Sequence, residues 1–119
     1  MKTHINNQIN FLEFPVPSAG ILKKAQRFYE DIFGWKFNSW GDDYIDTDDS
    51  GLSCGINADS SHKSNAPLVV IYVEKLDVVL DKIELAGCKI TKKIFSFPGG
   101  RRFHYLDPAG NELAVWSDN

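Results

Sequence analysis

The stretch Phe11-Leu12-Glu13-Phe14-Pro15-Val16, followed by Ala25-Gln26-Arg27-Phe28-Tyr29-Glu30-Asp31-Ile32-Phe33-Gly34-Trp35, decides the fold. Its first part is extended, because Pro15 and Pro17 lack amide donors and push their neighbours away from helical torsions. Its second part is helical. Ile21, Ala25, Phe28 and Ile32 recur at helical spacing, and Leu22 and Tyr29 widen the stripe. Ser18 is the expected N-cap, and Gly34 stands where a C-terminal glycine belongs.

Working outward, a second helix carries Leu76, Val79, Leu80, Ile83 and Ala86, with Asp77 as expected N-cap and Gly87 as stop. The rest reads as strands: Ile9 to Pro15, Trp35 to Trp40, Tyr44 to Asp46, Leu52 to Asn57, Leu68 to Val73, Lys89 to Phe97, Arg102 to Leu106 and Glu112 to Trp116. Leu68 to Val73 is almost continuously apolar, as expected of a strand covered on both faces. Pro98-Gly99-Gly100 and Pro108-Ala109-Gly110 supply turns. The order strand, helix, strand, strand, strand occurs twice. Val16 matches Val73, Gly34 matches Gly87 and Gly51 matches Gly110, at separations of 57, 53 and 59 residues. Two copies at this spacing indicate a duplicated module, not a solenoid. Module one spans about residues 8–58, the polar linker 59–65 and module two 66–118, within one domain of 119 residues.

Composition narrows the function classes. The chain is 43% hydrophobic and 24% charged, which excludes disorder and collagen-like structure. A net charge of −3 with mixed signs argues against nucleic-acid binding, and the short Lys89 to Lys93 stretch reads as a solvated strand face. No apolar run approaches the length of a membrane span. Cys54 and Cys88 lack metal-type spacing and read as free thiols in a reducing cytoplasm. Met1 to Asn7 is polar and reads as a frayed arm, not a targeting segment. Fifteen aromatics (eight Phe, three Trp, four Tyr) exceed what a small core needs.

Together with Val70-Ile71-Tyr72-Val73 and Asp107-Pro108-Ala109-Gly110-Asn111-Glu112-Leu113, the opening stretch resembles the vicinal oxygen chelate superfamily over roughly residues 8 to 118. That family includes glyoxalase I, bleomycin-resistance proteins and extradiol dioxygenases. The resemblance implies an α+β fold of two βαβββ modules curling into one barrel-like cavity, and a homodimer. In metal-dependent members the ion is held by the first and last strands of each module. Carried over, those positions fall on Phe11, Gly55, Leu68 and Ala114, none of which offers a donor. A displacement of two residues would offer Glu13 and Glu112, with Cys54 and His104 nearby in pattern, so a relocated metal site remains a further alternative. The preferred reading has no metal and no cofactor.

Because side chains alternate along strands, Phe11 shares a face with Glu13 and Pro15, and Leu68 with Val70 and Tyr72. Glu112, Ala114 and Trp116 form a third set, and Ser53 and Gly55 a fourth, with Asn57 at the mouth. The expected lining is thus Phe11, Glu13, Ser53, Gly55, Leu68, Val70, Tyr72, Glu112, Ala114 and Trp116, mostly apolar with sparse polar groups. Glu13 stands out, because a carboxylate within an apolar strand is costly unless paired. It is read either as a general base or ligand anchor, or as a structural pair of Arg102, His104 or a backbone amide.

The remaining candidates are weaker. His104 and Glu112 have both catalytic and structural readings. His4 and His62 lie in polar segments and carry no role. Asp107 holds a turn through backbone bonds. Asp42, Asp43, Asp46, Asp48 and Asp49 lack the spacing of a calcium loop and form a solvated face. Pro98 to Arg102 is a plain hairpin, and Cys54 a small apolar filler. Two functions follow: a metal-independent binder of a small apolar or aromatic molecule, and a metal-free isomerase or lyase with Glu13 as catalytic base. A metal-dependent lyase or dioxygenase with displaced ligands is the third. No membrane or nucleic-acid partner is expected.

Overall fold

The computed structural model describes residues 4–119. Met1, Lys2 and Thr3, the start of the expected frayed arm, lie outside the described residues. The elements run β1 (Gln8–Pro15), α1 (Ala19–Phe33), β2 (Asn38–Ser39), β3 (Tyr44–Thr47), β4 (Ser53–Asn57), β5 (Leu68–Tyr72), α2 (Leu76–Leu85), β6 (Ile90–Phe97), β7 (Gly100–Leu106) and β8 (Glu112–Ser117). The order βαβββ therefore occurs twice, in an α+β fold. None of the described helices is long and apolar enough to cross a membrane.

Residues Phe11–Leu68 form one compact unit, and residues 4–10 with Val69–Asn119 form the other. In the first, the strand order is β2-β3-β4-β1, with β1 parallel to β4 and β3 antiparallel to it. The parallel pair needs a long crossover, which α1 supplies. In the second the order is β5-β8-β7-β6, with β5 parallel to β8 and both hairpin pairings antiparallel.

Each helix takes one face of its sheet. Leu22 of α1 is buried with Ile45 and Ile56, and Ala25, Tyr29 and Phe37 pack around them. Leu76 of α2 is buried with Val73, Phe103 and Val115, flanked by Ile71, Val79, Leu80 and Ile83. Burying a side chain of this size stabilises the fold by about 1.5–3 kcal/mol.

The helix ends show local chemistry at work. Ser18 caps α1 by accepting a hydrogen bond from the Ile21 amide at 3.2 Å, and Gly34 ends it in a left-handed conformation, φ +74°. The second helix departs from expectation. Its N-cap is Lys75, with no side-chain cap bond, and Asp77 lies inside the first turn. Burial of Leu76 beside Val73 sets the start, and the Asp77 carboxylate instead favours the positive end of the helix dipole.

Two strands also differ from the sequence pattern. Trp35 to Trp40 is reduced to Asn38–Ser39. Trp35 stacks on Tyr29 at 5.1 Å between centroids, and the Lys36 amide donates to Asp49 at 2.9 Å, so neither residue joins the ladder. In β6, register shifts lie between Ile90 and Lys92 and between Lys92 and Phe95. Lys92 pairs with His104 and Phe95 with Arg102, so the extra residue on β6 is what brings Phe95 opposite Arg102. Gly100 must stay bare at the following turn, since a Cβ there would run into the Ser117 carbonyl.

The described part of the N-terminal arm is fastened, contrary to the frayed-arm expectation. The Asn7 amide donates to the Tyr72 carbonyl at 2.9 Å, and the Glu74 amide to the Asn6 side chain at 2.9 Å. These bonds complete part of the chain's backbone accounting, which composition does not reveal.

Asp107 has the structural role expected of it. Its carboxylate accepts from the Ala109 and Asn111 amides, both at 2.9 Å, and from the Asn111 side chain at 3.1 Å. The Asn111 side-chain and backbone bonds hold its pKa below the ordinary carboxylate value. A depressed folded-state pKa gives stability that is present above the unfolded value and lost as pH falls through the folded one. The stability gap between wild type and Asp107→Ala, read from urea midpoints, should therefore be largest near neutrality and shrink on acidification through the carboxylate range.

Candidate functional site

In the unit Phe11–Leu68, α1 covers the face that carries Ile45 and Ile56. The parallel register pairs Phe11 with Ser53, Glu13 with Gly55 and Pro15 with Asn57, so these residues share the opposite face. Glu13 is only 2% exposed there. Tyr44 Oη donates to its Oε2 at 3.0 Å, and Asn57 Nδ2 donates to its Oε1 at 3.0 Å. Both carboxylate oxygens thus accept a hydrogen bond within this unit, which offsets the cost of burial.

Gly55 makes that arrangement possible. A Cβ at Gly55 would meet the Tyr44 hydroxyl, lie 2.8 Å from the Tyr44 ring carbon that bears it, and 3.0 Å from the Phe11 ring. The bare position in β4 is where the Tyr44 ring crosses toward Glu13. Sequence reasoning left Tyr44 unassigned. Its signal was its position opening β3, where antiparallel pairing sets it opposite Asn57. Ser53 is half-buried and donates to Asp48 at 2.5 Å, and Leu68 is fully buried. The neighbouring Cys54 thiol is buried, and desolvation pushes its pKa up, which suits an apolar filler better than a nucleophile.

The other unit repeats the logic. With α2 on the Phe103–Val115 side, the register sets Tyr72 beside Trp116, Trp116 beside Arg102 and Arg102 beside Phe95 on the opposite face. Val70, Ala114, His104 and Lys92 form a parallel row. Tyr72 and Trp116 meet edge to face, with centroids 5.1 Å apart at 71°. Phe97 flanks Trp116 at 6.1 Å, and the Arg102 guanidinium lies over the Phe95 ring at 5.2 Å. The Tyr72 hydroxyl donates to Asp118 at 2.8 Å, and that bond to a carboxylate raises its pKa, keeping the phenol protonated.

His104 is completely buried in this face, 5.8 Å from Phe95 between ring centroids. Its Nδ1 is 3.5 Å from Glu112 Oε2, and the same oxygen accepts from Thr91 at 2.6 Å. Glu112 is therefore a half-buried partner of Thr91 and His104. His62, given no role, pairs with Asp59 at 2.9 Å. Cys54 and Cys88 are both free. Among the described residues, no three or more His, Cys, Asp or Glu side chains gather as a metal-binding group.

These modules place the chain in a known class: it belongs to the Glyoxalase/Bleomycin resistance protein/Dioxygenase superfamily, whose family model matches residues 18–115. No curated protein matches it by sequence. Solved structures share the fold at low identity. An NAD-dependent benzaldehyde dehydrogenase structure from Legionella pneumophila is 15% identical with a TM-score of 0.72, over 90% of this chain and 96% of that one. A methylmalonyl-CoA epimerase from Mycobacterium tuberculosis is 14% identical with a TM-score of 0.65, over 98% and 91%. The Mn(II)-bound glyoxalase from Novosphingobium aromaticivorans is 17% identical with a TM-score of 0.66; the match covers 95% of this chain but 39% of that one.

The Gly55 contact predicts a measurable cost. Gly55→Ala should destabilise the protein by about 1–3 kcal/mol in urea unfolding, because the added methyl displaces Tyr44 or Phe11. Tyr44→Phe should cost a similar amount, about 1–3 kcal/mol, by removing a donor from a buried carboxylate. A neutral Gly55→Ala would show that Tyr44 does not sit over Gly55.

Proposed function

We propose that the chain is a metal-independent member of its family that binds a small apolar or aromatic molecule against the Tyr72–Trp116 face. The edge-to-face Tyr72–Trp116 pair carries this reading. α2 covers the other side of these strands, so the pair is not spent on the helical core. The Tyr72 hydroxyl and the Trp116 indole N–H already have acceptors, in Asp118 and Asn10, so their tips are satisfied and what a guest would meet is the apolar rings, buried at Tyr72 and part-buried at Trp116. Phe97 widens the platform, and Val70 and Ala114 adjoin it in register.

The family's metal chemistry does not fit these residues. Carried over by the resemblance, its four ligand positions fall on Phe11, Gly55, Leu68 and Ala114, and the Tyr44 and Phe11 rings crowd the space above Gly55. The reading also takes the chain to work in a reducing cytoplasm, as its two free thiols support, and as a homodimer, as the family resemblance implies. Titration with planar and peptidic compounds should quench tryptophan fluorescence saturably in wild type but not in Trp116→Phe. Tyr72→Ala should weaken binding roughly two- to tenfold. A silent panel together with stoichiometric bound metal on elemental analysis would overturn this reading in favour of a metal-dependent lyase or dioxygenase with displaced ligands.

One observation favours a second reading, a metal-free isomerase or lyase. Glu13 is a buried carboxylate bonded to a tyrosine hydroxyl, a pair able to accept and relay a proton. In that case Glu13→Gln should abolish turnover and leave ligand affinity nearly unchanged. Equal loss of both would mark Glu13 as an anchor or structural group.

A further inference from the structure

The arm before β1 brings a side chain of its own to the aromatic pair. Asn7 adopts a left-handed conformation, φ +66°, tolerated by asparagine far better than by most residues. With the Asn6 and Asn7 bonds described above, this turn lays His4 against the pair. The His4 ring lies 4.9 Å from Tyr72 at 31°, and 4.8 Å from Trp116 at 79°. An imidazole thus sits as a planar guest would, tilted over one aromatic ring and set edge-on to the other.

The hydrogen bonds around that imidazole define its chemistry. The Trp116 indole N–H is only a donor, and it bonds Asn10 Oδ1 at 3.1 Å. The Asn10 amide is thereby oriented, with its NH2 group facing His4 Nδ1 at 3.1 Å. An NH2 group donates, so Nδ1 accepts. In this arrangement Nδ1 is the acceptor edge of the ring, facing the Asn10 amide. The arrangement reads two properties at once: a flat ring, and an unprotonated ring nitrogen at one edge.

We propose that Tyr72, Trp116 and Asn10 form a site for a planar heteroaromatic ring carrying a pyridine-type nitrogen, and that His4 occupies this site until such a ligand displaces it. This inference rests on the reading that the Tyr72–Trp116 pair takes an aromatic guest. It adds the ligand class and the competitor. His4 itself is exposed and makes the same contacts that a free ligand would make, so the arm lowers apparent affinity by the fraction of molecules in which it is docked.

Quinoline and its carbocyclic isostere naphthalene separate these points, because they share shape and differ in one ring nitrogen. Binding is read from the Trp116 indole N–H resonance in two-dimensional NMR, assigned with Trp116→Phe. The expected results are threefold. Quinoline binds wild type more tightly than naphthalene does. His4→Ala tightens quinoline binding about tenfold. Asn10→Leu erases the preference for quinoline over naphthalene. Equal binding of the two ligands in wild type would overturn the nitrogen readout and leave the aromatic site standing. Unchanged quinoline affinity in His4→Ala would overturn the competition. No response of the Trp116 resonance to either ligand in any variant would overturn both this inference and the aromatic-binding reading beneath it.

Discussion

Val73, Leu76, Phe103 and Val115 close against one another beneath α2, as Leu22, Ile45 and Ile56 do beneath α1. This packing decides where nearly every other strand side chain points. Strand side chains alternate, so a residue that enters the helical core sends its neighbours to the far side. Phe103 inward puts Arg102 and His104 outward from the helix, and Val115 inward does the same for Ala114 and Trp116. Each module has one helix and therefore one face that enters a helical core. The other face is free to carry polar and aromatic groups that a helical core would reject.

Those faces are polar in a controlled way. Glu13 is bonded by Tyr44 and Asn57, Tyr72 by Asp118, Trp116 by Asn10, and Glu112 by Thr91. A buried polar group without such a partner costs on the order of 1–3 kcal/mol. The bonds also hold the side chains in place, which a binding surface requires before any ligand arrives. Gly55 and the bulges of β6 serve the same end by different means. One leaves room for Tyr44 to reach Glu13, and the others turn Phe95 toward Arg102.

The repeated βαβββ order was legible because its signals are local. Helical spacing, Ser18, Gly34 and the proline positions each act over a few residues. The shared faces of Phe11 with Glu13 and of Tyr72 with Val70 were legible from alternation alone. What stayed hidden depends on pairing between distant segments. Nothing in Tyr44 announces a bond to Glu13, 31 positions away, and nothing in His4 announces Trp116. Trp35 and Phe37 alternate like strand residues, yet ring stacking takes Trp35 out of the ladder. Asp77 looks like a helix cap, yet burial of Leu76 moves the start before it. In each case tertiary packing outweighs a local preference of about 1 kcal/mol.

The central claim is that the helix-free face of β5, β8 and β7 is the working surface. Intermolecular nuclear Overhauser contacts from a bound aromatic probe such as naphthalene test it most directly. The account predicts contacts to the Tyr72 and Trp116 side chains and none to Val79, Leu80 or Ile83 on α2. Saturable binding with contacts confined to the α2 side would contradict it.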